Sequence, residues 1–108
     1  MPTYLGEFEQ LVLLALVRLA DEGYGVAVHD DIQRRTGRDP SLGTVYTTLS
    51  RLEAKGFIRS RLGEPSAERG GRRKKFFAIE PAGHRALSLA LGAIRQMSKG
   101  LNAAWGER

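Results

Sequence analysis

The segment from Ser41 to Gly56, SLGTVYTTLSRLEAKG, constrains this chain more than any other. Leu42, Val45, Leu49 and Leu52 recur at the i, i+3 and i+4 spacing that lines one side of an α-helix, and they read as a face packed on a core. Thr44, Thr47, Thr48, Arg51 and Lys55 read as the opposite face. That face has short hydroxyls, long cations and no carboxylate, a surface suited to close approach to a polyanion. Ser41 is placed to cap the first turn, and Gly56 to end the helix in a left-handed conformation. An ordinary amphipathic helix with a solvated face also fits the segment taken alone, so its neighbours in sequence decide between the two.

Upstream, a helix is expected from about Gly6 to Asp21. Phe8, Leu11, Val12, Leu14 and Ala15 make it apolar nearly all round, as in a helix buried on more than one side. It therefore reads as touching both its own domain and a partner chain, with Leu5, Phe8 and Val12 on the shared surface. A shorter helix from about Val26 to Thr36 follows the break at Glu22-Gly23-Tyr24-Gly25. The turn Gly37-Arg38-Asp39-Pro40 separates it from the two-faced helix, expected at Leu42 to Lys55. Three helices with a turn between the second and third form the helix-turn-helix arrangement, whose later helix enters the major groove.

Downstream, Phe57 to Leu62 alternates, with Ile58, Ser60 and Leu62 on one side and Arg59 and Arg61 on the other. Lys75 to Ile79 reads as its partner strand, with Phe77 and Ile79 inward. The polar connection Gly63 to Gly71 makes this a hairpin with a long loop, a wing. Pro81 suits the first turn of a last helix, expected from Pro81 to Trp105. In that helix Leu87, Ile94 and Leu101 repeat every seven residues, with Leu91, Ser98 and Trp105 near the intermediate positions. A terminal seam with no later element to cover it points to a second copy of the chain. Folding back onto the first helix of its own chain is the alternative. The fold class expected is α+β and mostly helical: a winged helix-turn-helix over residues 1–80 and a long C-terminal dimerisation helix over 81–108, in one compact unit.

Arg69, Arg72, Arg73, Lys74 and Lys75 form the densest cluster of charge, beside Gly70 and Gly71. Glycine lets a backbone approach a surface closely, and guanidinium groups fork onto phosphate. Most of these cations position rather than read sequence. Base reading falls to Thr44, Thr47, Thr48 and Arg51, because Arg forks onto a guanine edge and a Thr methyl meets a thymine methyl. The Tyr46 hydroxyl could reach a phosphate, or the ring could simply pack. The DNA-binding set is thus Ser41, Thr44, Tyr46, Thr47, Thr48, Arg51, Lys55, Arg69, Gly71, Arg72, Arg73 and Lys74. The dimer set is Leu5, Phe8, Val12, Leu87, Leu91, Ile94, Leu101 and Trp105. Trp105 seals the seam or stacks on an aromatic ligand there, and the first is favoured.

With 17 Lys and Arg against 12 Asp and Glu, the formal net charge is +5, in keeping with an anionic partner. The absence of Cys excludes disulfides, thiolate metal sites and Cys nucleophiles. The apolar run Leu11 to Val17 is far short of the roughly 20 residues of a membrane span, and no secretory leader pattern opens the chain. A cytoplasmic protein without cofactor is expected. His29, Asp30 and Asp31 stand together but read as a solvated helix face rather than a metal site. No G-x-S-x-G, H-E-x-x-H or P-loop motif supports an enzyme.

Gly23-Tyr24, Ser41-Leu42-Gly43-Thr44-Val45-Tyr46, Leu49 through Leu52-Glu53 to Gly56, and Gly70-Gly71-Arg72-Arg73-Lys74 into Phe76-Phe77 resemble the PadR family of transcriptional regulators. The resemblance runs in order from about Leu11 to Gly83 and, by length, is to the short branch with one C-terminal helix. It implies a winged helix-turn-helix, a homodimer joined through first and last helices, and double-stranded operator DNA as partner. It also implies repression, in some cases relieved by a small aromatic or drug-like effector bound between subunits. The chain departs from the family pattern at Glu22 and Gly25, at Thr47 where Pro is common, and at Phe76 and Phe77 where Tyr is common. A winged-helix module that binds an acidic protein instead of DNA is the alternative.

Overall fold

The computed structural model describes residues 4–65 and 73–101 of the chain. Helix α1 (Glu7–Leu19) opens where the Gly6 N–H donates to the Glu9 carboxylate at 2.8 Å, which satisfies one of the donors left free at a helix start. A 3₁₀ turn over Ala20–Glu22 replaces the last α-turn expected from sequence. Helix α2 (Gly25–Thr36) closes on Gly37, whose φ of +77° suits glycine. Helix α3 (Leu42–Ala54) starts on Ser41, whose Oγ accepts from the Thr44 N–H at 3.0 Å. Gly56, at φ +80°, turns the chain into strand β1 (Ile58–Pro65).

Strand β1 pairs antiparallel with β2 (Arg73–Ile79), with Ile58 opposite Ile79 and Ser60 opposite Phe77. Side chains directly opposite share a face, so Ile58 and Phe77 are buried together while Arg59 and Arg61 look away. A third backbone segment joins the hairpin. Tyr24 forms an isolated bridge with Phe76, and the Phe77 N–H donates to the Gly23 carbonyl at 2.8 Å. The result is a winged helix: a mostly helical body with a two-stranded antiparallel hairpin.

Buried Val12, Leu13 and Leu16 of α1 meet Val28 and Ile32 of α2 and Val45, Leu49 and Leu52 of α3 in a single core, with Phe57, Ile58 and Phe77 below the hairpin. Leu42 does not join them. It is exposed in the first turn of α3, because the packed stripe runs through Val45, Thr48, Leu49 and Leu52 instead. Two dimer-face expectations are corrected in the same way. Val12 and Leu87 are buried inside their own chain's core and have no surface left for a partner.

Helix α4 (Pro81–Ser98) begins with proline in its first turn, as expected. It ends well before Trp105: Lys99 is extended and Gly100 has φ +81°, so Leu101 follows the helix rather than extending its seam. Trp105 lies outside the described residues. Gly83 sets α4 directly against the root of β1. A Cβ there would stand 2.2 Å from the Phe57 carbonyl oxygen, and that same oxygen accepts from the Glu80 N–H at 2.9 Å. Gly83→Ala gains helix propensity but must push α4 off the strand. A net destabilisation of about 2 kcal/mol is expected, read as a lower urea midpoint with an unchanged m-value.

Candidate nucleic-acid interface

The outer face of α3 presents Ser41, Gly43, Thr44, Thr47 and Arg51 around a shallow depression of about 390 Å³. The Ser41 hydroxyl donates to Thr44 Oγ1 at 2.9 Å, so cap and first reader are held as one unit. Thr47 and Arg51 are exposed on the next turns. Thr48 also lines the depression, but its residue is only 4% exposed and its hydroxyl donates to the Thr44 carbonyl at 2.8 Å. The expectation that Thr48 reads bases is corrected: it stands three residues after Val45 and so belongs to the packed stripe.

Lys55 is also corrected. Its Nζ donates to Glu9 Oε2 at 2.7 Å and ties the end of α3 to the start of α1. Burial pushes the Glu9 carboxyl up. The Lys55 hydrogen bond, the Gly6 N–H and the charges of Lys55 and Arg51 outweigh it and hold Glu9 below the usual carboxylate range. The Lys55 amine is committed within the fold rather than free for a phosphate.

Tyr46 lies against the first residue of α2. A Cβ on Gly25 would overlap the Tyr46 ring, so glycine is what admits the ring there. Half of Tyr46 stays exposed, so the ring packs while the residue keeps access to solvent. The turn before α3 is pinned by His29, whose Nδ1 meets Asp30 at 2.9 Å and whose Nε2 meets Asp39 at 3.0 Å. Two carboxylate acceptors favour the doubly protonated ring, which offers an N–H on each side. The hydrogen bonds to Asp30 and then Asp39 raise its pKa accordingly.

On the hairpin, Arg73 and Lys74 are exposed strand residues; Arg69, Gly71 and Arg72 lie outside the described residues. Lys74 Nζ sits 4.2 Å from the centroid of the Tyr24 ring, and the Arg61 guanidinium 4.6 Å from that of Phe76. The two rings meet edge-on at 5.6 Å. Sequence reasoning had not connected Arg61, Tyr24 and Phe76. The signal was present in the strand pairing, since Arg61 stands opposite Phe76 and Tyr24 bridges to it from the other side.

The expected dimer face separates into two parts. Leu5, Phe8 and Leu91 are partly buried against their own core. Ile94, 62% exposed, and Met97, 80% exposed, stand out on α4 with Leu89, and Leu101 is exposed beyond its end. Leu89 and Met97 were not in the expected seam. A groove of about 450 Å³ runs between Tyr4, Leu5 and Gln10 on one side and Ala90, Ala93, Ile94, Met97 and Ser98 on the other. Among the described residues, no helix is long and apolar enough to cross a membrane.

The profile of the transcriptional regulator PadR-like family matches residues 13–89. Among solved structures, a PadR family transcription regulator from Clostridium difficile is similar at 26% identity and TM-score 0.75, over 93% of this chain and 99% of that one. A PadR-like transcriptional regulator from Bacillus cereus shares the fold at 19% identity and TM-score 0.73, over 94% and 93% of the two chains. Bacillus subtilis PadR, solved in complex with operator DNA, shares it at 20% identity and TM-score 0.67, over 78% of this chain and 47% of that one. No curated protein sequence gives a match. The match spans well over half the chain, from the second half of α1 through α2, α3 and the hairpin into the first half of α4, so the chain belongs to the transcriptional regulator PadR-like family.

Proposed function

We propose that this regulator is a repressor that binds an inverted-repeat operator as a homodimer. The observation that carries the reading is the face of α3, where Thr44, Thr47 and Arg51 are exposed and Arg51 makes no ion pair among the described residues, on a body that also carries a cationic hairpin. Thr44, Thr47 and Arg51 read base edges in the major groove. Ser41, Tyr46, Arg73 and Lys74, with Arg69, Gly71 and Arg72, hold the flanking phosphates. Residues 1–80 form the DNA-binding unit, and residues 81–108 supply the dimer helix. The apolar face of Leu89, Ile94 and Met97 covers its counterpart on a second copy. Two-fold symmetry then sets half-sites one helical turn apart, roughly 10 bp. The groove between Tyr4 and Met97 has the size and apolar lining for a small aromatic or drug-like effector that relieves repression. The protein works in the cytoplasm, where its operator is.

The operator known for the Bacillus subtilis relative makes duplex DNA the first partner to try. Binding-site selection from a random duplex library, followed by anisotropy titration, tests the reading. An inverted repeat is expected. Arg51→Ala is expected to relax preference at one base pair per half-site by about 1–3 kcal/mol while leaving the salt dependence nearly unchanged. An unaltered preference removes Arg51 from base reading. No DNA affinity near physiological salt overturns the function and favours an acidic protein partner.

A further inference from the structure

Both proposed DNA contacts are mounted on the same three residues. At Gly25, the missing side chain lets the Tyr46 ring of α3 rest on the start of α2. At Gly23, a Cβ would stand 2.9 Å from the Phe77 carbonyl oxygen and 2.7 Å from Leu16, so glycine lets the backbone pair closely with β2. Between them, Tyr24 bridges to Phe76 as a short third strand. Bridged and paired residues project on one face, so Arg61, Phe76 and Tyr24 form a row across three strands, with Lys74 two residues along β2 on that same face.

The row alternates cation and ring. The Arg61 guanidinium lies 4.6 Å from the Phe76 centroid, Phe76 meets Tyr24 edge-on, and Lys74 Nζ lies 4.2 Å from the Tyr24 centroid. A second glycine fits the row. A Cβ on Gly63 would stand 2.6 Å from Phe76 Cε1, so the opposite strand leaves that ring its place. An exposed lysine carries much rotamer entropy, and the face of a ring restricts it without neutralising its charge. A carboxylate partner, such as Glu9 for Lys55, would have spent that charge.

We infer that Tyr24 is a positioning residue for DNA binding: its ring seats Lys74 and, through Phe76, Arg61, and so fixes where the wing cations stand relative to α3. The inference rests on the DNA-binding reading above and goes beyond it by assigning the spacing of helix and wing to one aromatic side chain. The phenol hydroxyl takes no part; the ring face does.

The test uses the full chain and a labelled mixed-sequence duplex of about 30 bp, roughly three helical turns. Tyr24→Leu is expected to weaken binding about fivefold to tenfold and to reduce the slope of log K against log salt by about one to two units, the contribution of one or two phosphate contacts. Tyr24→Phe is expected to match the wild type in both. Lys74→Met alone should reproduce part of the slope loss, and Tyr24→Leu added to it should give less than its separate effect, as coupled residues do. In the free protein, the Lys74 ε-methylene protons should be shifted upfield by the ring in wild type and Tyr24→Phe, and return to ordinary values in Tyr24→Leu. A purely structural role would lower the melting temperature while leaving the salt slope unchanged. Such a result, or an unshifted Lys74, overturns the inference. Should Tyr24→Leu fail to fold, the Lys74 shift and the slopes of Tyr24→Phe and Lys74→Met decide it. An upfield Lys74 in a protein that binds no duplex overturns the DNA reading instead.

Discussion

Ile94→Asp combined with Met97→Asp is expected to give a folded monomer that binds a two-half-site operator about 10²–10⁴-fold more weakly, the avidity lost when two linked sites become independent. Both side chains are largely exposed in the single chain, so the change costs the monomer little. In the proposed dimer each is covered, and a buried large apolar side chain contributes about 1.5–3 kcal/mol. Ile94 and Met97 are also neighbours at the i, i+3 spacing on α4, and exposed apolar pairs of this size mark interaction surfaces when they join a larger patch. Four introduced carboxylates facing each other across a two-fold axis add repulsion to the lost burial. Sedimentation velocity and an anisotropy titration on the same samples check the prediction. A variant that remains a dimer with wild-type affinity places the interface elsewhere.

Asp31→Ala is expected to be strongly destabilising although no apolar core residue is lost. The residue is only 2% exposed, and its carboxylate accepts from Arg18, Arg34 and Arg35, each at 3.0 Å. It joins α1 to α2 and holds three guanidiniums that would otherwise repel one another. Removing one partner of a buried ion pair costs about 3–5 kcal/mol, and the three half-exposed arginine heads, which water can still screen, bring the expectation to about 3 kcal/mol. For a chain of this size that is roughly 15 °C in melting temperature. Burial raises the Asp31 carboxyl, but the hydrogen bonds and charges of Arg18 and Arg35 prevail and hold it below its ordinary value. A lowered folded-state pKa contributes stability that is present at neutral pH and lost as the pH falls below about 4. Glu9 acts in the same sense. Thermal melts from pH 7 to 3 should therefore show an acid limb that is shallower in Asp31→Asn. An equally steep limb in that variant assigns the acid sensitivity to other carboxylates.

The helices, the hairpin and their order were legible because each rests on local signals: the Ser41 cap, the glycines at 37 and 56, Pro81, and the alternation around Phe77. What misled was sorting side chains by chemical type. Thr48 looked like a reader because it is polar, yet its spacing from Val45 and Leu52 places it in the packed stripe. Lys55 looked like a phosphate ligand because its partner, Glu9, is distant in sequence. Val12 looked like interface because its helix is apolar nearly all round, and Leu87 because it falls on a seven-residue repeat; neither pattern says which apolar positions the chain's own core will claim. Asp31 was the least legible of all: beside His29 and Asp30 it read as part of a solvated helix face, and only the packing of α1 on α2 buries it as the common anchor of three arginines.

The contact at Gly83 makes α4 a lever. Its near end is fixed to the Phe57 carbonyl, from which β1 and the end of α3 also depart. The 15 residues from His84 to Ser98 extend about 23 Å beyond that fulcrum. A tilt of about 5° there displaces the far end by about 2 Å. In the proposed dimer the far ends are held against each other, so the same small tilt swings the two bodies apart or together. A ligand seated between Tyr4 and Met97 would press on the long arm, where the least force is needed to change the distance between two half-sites.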